Sequence, residues 1–196
     1  DDLRQFLRYG RNDQTAAFGG MTDVVEHSLQ HLSEADITAI ARYLKSLGAK
    51  DPHQAAFSVD DATAKALWRG DDSQTGAAAY VDSCAACHKT DGSGYKRFYP
   101  ALRGNPVVLA DDPTSLIHIV LVGGQLPGVN GAPSTITMPA FGWRLNDQQV
   151  ADVVNFVRNS WGNKASEPVT AKQVASLRKD EKDRLGSADI RVLEGK

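Results

Sequence analysis

At 196 residues the chain has room for one large domain, or for a small domain with substantial extensions. Apolar side chains make up 41% and charged ones 23%, an ordinary globular balance, and a formal net charge of −2 gives no footing for nucleic-acid binding. No stretch approaches the ~18 consecutive apolar residues of a membrane span, and the start lacks the basic-then-apolar pattern of a secretion signal.

Residues 1–50 are helical in pattern, with Leu3, Phe6 and Leu7 on one apolar face and Ser33 capping a second helix that carries Ile37, Ile40, Tyr43 and Leu44. Residues 51–73 read as a connector with a short helix around Ala62–Trp68. Residues 74–163 read as a compact helical domain. Within it, Asp112-Pro113 predicts a helix start, and Leu116, Ile119 and Val120 form a stripe that stops at Gly123-Gly124. His118 lies off that stripe and is expected at the surface. Asn146 and Gln149 have the spacing of a capping box ahead of Val150, Val153, Val154 and Val157. Residues 164–196 read as a polar tail with one helix, opened by Thr170 and Gln173 with Val169 and Val174 as a hydrophobic staple. With eight basic and six acidic side chains, the tail is expected to be a solvated face. No run of period-two alternation stands out, so the expected class is all-α.

An internal repeat sharpens this division. Displaced by 113 positions, Leu3, Phe6, Leu7 and Gly10 fall on Leu116, Ile119, Val120 and Gly123. With the same shift, Leu32, Ile37, Ile40, Tyr43 and Leu44 fall on Leu145, Val150, Val153, Phe156 and Val157. Any two amphipathic helices can be brought into register, but here one offset serves both ends of the stretch. Residues 1–50 therefore read as the distal half of a second, similar domain that lacks its cysteine-bearing half.

The only two cysteines stand in Cys84-Ala85-Ala86-Cys87-His88, which fits the C-x-x-C-H pattern of covalent haem attachment. Two thiols three residues apart on a helical turn can add to the two vinyl groups of one haem, and the next residue, His88, is then carried beneath the iron. A thioredoxin-like redox pair would want a βαβ setting. A zinc site would want two further ligands at short spacing, and the nearest downstream histidine is His118. For a sixth ligand the chain offers two methionines, Met21 and Met138. Met138-Pro139 sits in a Pro- and Gly-punctuated loop ahead of the last helix of the domain, where the chain can fold back over the other haem face. Its thioether favours ferrous iron and raises the potential. Core gap-filling is the plainer role for a lone methionine, and His118 is a rival ligand.

The run Thr137-Met138-Pro139-Ala140-Phe141-Gly142-Trp143-Arg144-Leu145, with Ala151–Arg158 and Trp161-Gly162-Asn163, resembles the last haem domain of the three-haem cytochrome c subunit of membrane-bound bacterial alcohol, aldehyde and gluconate dehydrogenases. Related cytochromes serve molybdenum hydroxylases. The resemblance covers nearly the whole chain, and residues 5–48 look like the end of the second haem domain, with Met21 at the position of that haem's axial methionine. The first haem domain and the second attachment motif are missing, so the chain looks like a piece of a longer subunit, with no iron expected on Met21.

The resemblance implies a class I cytochrome c domain, flanked by an N-terminal helical half-domain and a C-terminal helical tail. It implies one covalent haem c on Cys84 and Cys87, with iron on His88 and Met138. Gly76 and Tyr80 match positions that cross the last helix near Phe156. Pro100 matches the residue whose carbonyl accepts the proton of the His88 ring, Leu102 and Phe141 match residues that pack the haem faces, and Arg103 and Trp143 are candidates for its propionates. The implied function is one-electron transfer without catalysis. Electrons arrive from a quinoprotein, flavin or molybdenum dehydrogenase and leave toward quinone or a terminal oxidase. The competing expectation is a haem peroxidase-like enzyme with an open sixth site. A periplasmic location follows by resemblance, with the parent attached to the inner membrane. Lys96, Arg97 and Arg103 form a small basic cluster suited to an acidic partner or simply to solvent. Residues 1–50, apolar on one face, are expected to pack on the haem domain or to self-associate.

Overall fold

A computed structural model describes residues 1–48, 57–132, 134–165, 167–184 and Leu193, so the connector expected at 51–73 and the tail expected at 164–196 lie partly outside the described residues. Its regular structure is ten α-helices, one short 3-10 turn and one antiparallel pair of two-residue strands among the described residues, in keeping with the all-α expectation.

The N-terminal segment holds α1 (Asp2–Tyr9), α2 (Gly20–His27) and α3 (Glu34–Ser46). The Ser33 hydroxyl accepts the Asp36 amide at 3.1 Å, as its position at the helix start requires. Leu7, Ile37 and Ala41 make a small buried cluster with Leu3, Leu29 and Leu32, separate from the main core. The segment docks on the rest of the chain through buried Arg11. Its guanidinium donates to the carbonyls of Arg97 (3.3 Å), Pro127 (3.3 Å) and Ser134 (3.4 Å). Asn105 adds a bond to the Gln14 carbonyl at 3.0 Å, and Lys96 pairs with Asp13 at 3.0 Å.

The main body comprises α4 (Ala62–Trp68), α5 (Ala77–Ser83), α6 (Ala85–His88), α7 (Pro106–Leu109), α8 (Thr114–Val122), β1 (Gly124–Gln125), β2 (Thr137–Met138) and α9 (Asp147–Arg158). The connector helix α4 appears where the sequence placed it, and its Leu67 belongs to the same core as α5, α8 and α9. Helix α5 crosses α9 closely. Gly76, at φ 86°, abuts the Asp152 carbonyl, and a Cβ there would lie 2.9 Å from that of Phe156. Tyr80, Phe156 and Trp161 then stack with ring centroids 5.1–5.8 Å apart. The polar tips of two of these rings grip the chain just after His88: Tyr80 donates to the Lys89 carbonyl (2.6 Å) and the Trp161 indole to that of Thr90 (2.9 Å).

Three expectations need correction. Helix α8 starts one residue later than its proline suggests: Asp112 accepts the Thr114 amide at 2.9 Å, and Pro113 occupies the cap. It is also buried on two sides, with Leu116 and Val120 accompanied by Ile117 and Leu121. The reason is the described part of the tail, whose helix is not a solvated face. Helix α10 (Ala171–Arg184) lies across α8 and α9, with Val169 and Val174 buried as the staple predicted. His118 is consequently covered rather than exposed, with Nδ1 2.8 Å from Glu181 Oε1 on α10.

Candidate functional site

The site begins at α6, one turn of helix that carries Cys84 at its cap and Cys87 and His88 within it. It borders a cleft that is open at its mouth and lined almost wholly by apolar surface. Cys84, Cys87, His88, Pro100, Leu102, Met138 and Phe141 all line this one cleft. Val153, Val154 and Val157 of α9 and Leu116, Ile119 and Val120 of α8 complete its apolar walls. The stripes that the sequence marked as helix faces are thus cleft wall as well as core.

His88 is buried, and its Nδ1 lies 2.9 Å from the Pro100 carbonyl oxygen. A carbonyl has no proton to give, so Nδ1 carries the hydrogen and the lone pair on Nε2 is left for a ligand. Burial lowers the histidine's pKa, against the opposing pull of the Pro100 bond, and so favours the neutral, metal-binding form. Pro100 is held by its neighbours, since the Leu102 amide donates to Gly92 (2.8 Å) and the Gly94 amide to His88 (3.1 Å).

Both thiols are free. Burial, with smaller contributions from Cys87 and Asp82, pushes Cys84 up to about 12. A redox-active pair needs the opposite, a thiol lowered toward neutrality. The zinc alternative lacks its further ligands, because no group of three or more His, Cys, Asp or Glu converges among the described residues. What the cleft does present is a neutral imidazole, a thioether and two thiols around a broad apolar volume. That donor set is suited to a flat apolar macrocycle holding a borderline-soft metal.

Met138 reaches the cleft from β2, which pairs with β1 so that Met138 sits opposite Gly124. Arg103 and Trp143 are not among the cleft-lining residues: Arg103 bonds Asp91 at 3.2 Å, and Trp143 is 54% exposed. The basic cluster is largely engaged within the molecule, Lys96 with Asp13, Arg103 with Asp91 and Arg97 over the Tyr9 ring. Met21 is 36% exposed on α2 and stands outside the cleft lining.

One part of the site was not legible beforehand. Thr15, Ala16, Ala17 and Phe18 of the N-terminal segment line the same cleft. Asn105 holds them there, bonded to Thr15 Oγ1 (3.3 Å) as well as to Gln14. The only sequence signal was the repeat itself, which marks residues 11–18 as the counterpart of the β1 region without saying where it docks.

A family profile described as "Cytochrome c" matches residues 73–161. The chain is 74% identical to the "Gluconate 2-dehydrogenase cytochrome c subunit" of Pantoea cypripedii over 197 residues, covering 99% of this chain and 45% of that protein. It is 48% identical to the "Alcohol dehydrogenase (quinone), cytochrome c subunit" of Gluconobacter oxydans (strain 621H) over 178 residues, 91% of this chain and 37% of that protein. "Cytochrome c-552" of Thermus thermophilus is 34% identical over 112 residues, 53% of this chain and 83% of that protein. The chain spans less than half the length of the two dehydrogenase subunits.

Proposed function

Because this chain belongs to the cytochrome c family, we propose that its cleft binds one haem c through Cys84 and Cys87 and that the chain relays single electrons for a periplasmic dehydrogenase complex. The observation that carries this reading is the buried His88, oriented by Pro100 and sharing one apolar cleft with both thiols and Met138. Bound there, haem supplies a one-electron ferric–ferrous couple.

The chain's residues do the rest. The thiols of Cys84 and Cys87 would tether the haem, His88 Nε2 and Met138 Sδ would be the donors to its iron, and Leu102 and Phe141 would pack against it. With both donors bound the iron would offer no open site to substrate or oxygen, and the apolar walls would keep reorganisation small. The peroxidase alternative finds no support, with Met138 in the cleft lining and the matched proteins named as cytochromes. Arg103, bonded to Asp91, and Trp143, 54% exposed, stand outside the cleft lining and remain the candidates for the propionates.

Identity of 74% over 99% of the chain supports a gluconate-oxidising dehydrogenase as the electron donor, with quinone or a terminal oxidase beyond. The domain reading follows the same lines: 74–163 is the haem domain, and 1–50 the distal half of a preceding one, with its own small core. The parent is placed at the periplasmic face of the inner membrane, although no helix among the described residues is long and apolar enough to cross a membrane.

Two measurements test the proposal. Matured protein should have the mass of the chain plus one porphyrin. Mixed with the partner dehydrogenase, its haem should be reduced within milliseconds to seconds of adding gluconate and not on adding ethanol. Colourless matured protein would end the reading; reduction by ethanol alone would move the donor to the alcohol dehydrogenases.

A further inference from the structure

Helix α10 lies beyond residues 73–161, the span matched as cytochrome c, yet through Arg178 it bonds the turn that follows Met138. The guanidinium of Arg178 uses its whole fork. Nε donates to Asp147 Oδ1 at 2.7 Å, one terminal nitrogen to the Gly142 carbonyl, and the other to the Leu145 carbonyl at 2.8 Å. Gly142 and Leu145 belong to the turn that leads from Met138 into α9. On its inner side that turn is bonded to the end of α8, the Phe141 amide to Val120 O and the Gly142 amide to Leu121 O, both at 3.0 Å. The turn is therefore clamped between α8 and α10. There is no slack at its centre: a Cβ on Gly142 would lie 2.6 Å from the Leu121 carbonyl oxygen and 2.7 Å from Leu193 Cδ2.

The clamp is itself anchored. His118 and Glu181 meet at 2.8 Å toward one end of α10, and at the other Asn155 exchanges two bonds with the backbone of Val169, at 2.8 and 2.7 Å. An arginine carried on a fraying tail would lose this geometry, whereas Arg178 is only 14% exposed.

A thioether is a weak axial donor, so the loop that presents it decides how readily it leaves the metal. We propose that Arg178 is a positioning residue for the sixth ligand: by bridging the Gly142 and Leu145 carbonyls to Asp147 it holds the Met138 loop closed, making α10 a working part of the redox centre. The inference rests on Met138 being the sixth ligand. Lysine cannot replace the fork, because a single ammonium cannot span two carbonyls and a carboxylate in one plane.

The test uses the full matured chain. Ferric protein is titrated with imidazole, which displaces a sulfur ligand, while the red charge-transfer band of sulfur-ligated ferric haem and the far-ultraviolet circular dichroism are recorded. Arg178→Met, which keeps the aliphatic stem, should bind imidazole about tenfold more tightly, equivalent to about 1.4 kcal/mol. It should also lose the band at lower temperature than the parent, with helix content unchanged. Arg178→Lys and Asp147→Asn should fall between, and exposed Lys172→Ala should match the parent. Equal imidazole affinity in the parent and Arg178→Met overturns the proposal, as does an equal change in Lys172→Ala. Should Arg178→Met fail to fold, parent-like affinity in both Arg178→Lys and Asp147→Asn overturns it. A parent that shows no sulfur band fails differently: it removes Met138 as ligand and the proposal with it.

Discussion

At Gly76 two demands coincide. The backbone is left-handed, at φ 86°, and the missing side chain is where the Asp152 carbonyl of α9 sits. Alanine there meets both the conformational penalty and a clash that only a shift of α5 against α9 can relieve. Gly76→Ala should therefore cost roughly 2–4 kcal/mol, read as a lowered denaturation midpoint. Gly70→Ala is also left-handed but has open space around it and should cost about 1 kcal/mol. Equal losses in the two variants would show that helix crossing has no part in the effect. The sequence marked Gly76 and Tyr80 through resemblance, and Cys84, Cys87 and His88 through spacing alone, because covalent attachment imposes a rigid local pattern. Arg103 and Trp143 were less legible. A propionate contact depends on where a loop ends in space, which no local pattern states; Arg103 bonds Asp91 at 3.2 Å.

Among the elements, those with strong local signals were readable. The Asn146–Gln149 box at the start of α9 is fully formed, and Gln173 closes on Thr170 as predicted. How elements pack was harder to read. Helix α10 has an outer face so rich in charge that its narrow buried line, Val174 with Leu177 partly covered, was outweighed in composition. Arg11 gave no signal at all, since a single arginine in a loop is usually solvated. Its guanidinium nonetheless joins three carbonyls from two loops, with no carboxylate in ion-pair reach among the described residues. Arg11→Ala should lower stability by roughly 1–3 kcal/mol. Amide exchange should quicken around Pro127 and Ser134 and stay unchanged in α9. Arg11→Met should recover part of the loss by filling the volume without a charge to desolvate. Unchanged exchange in the alanine variant would mean that the N-terminal segment is held by other contacts.

Across the whole molecule, the repeat explains what is covered and what is not. Phe156 and Val157 are buried in the haem domain, while their counterparts Tyr43 and Leu44 are 64% and 40% exposed, and Leu47 beside them 64%. The N-terminal segment packs on the haem domain by its loop and leaves this face of α3 bare. Purified alone, the chain should self-associate with rising concentration, and Leu44→Glu with Leu47→Glu should return it to a monomer in sedimentation velocity. A wild-type chain that stays monomeric at high concentration would show the face too small to drive association.

The wall built by Thr15–Phe18 also bears on where this redox unit ends. A boundary drawn at residue 73 separates the cleft from four of the residues that line it, and so, on the proposed reading, the haem from part of its wall. Water would then enter beside the iron and favour the more charged ferric state. A piece trimmed to that boundary, were it to fold, would be a weaker oxidant than the intact chain, its midpoint potential displaced downward although every covalent and axial bond had been kept.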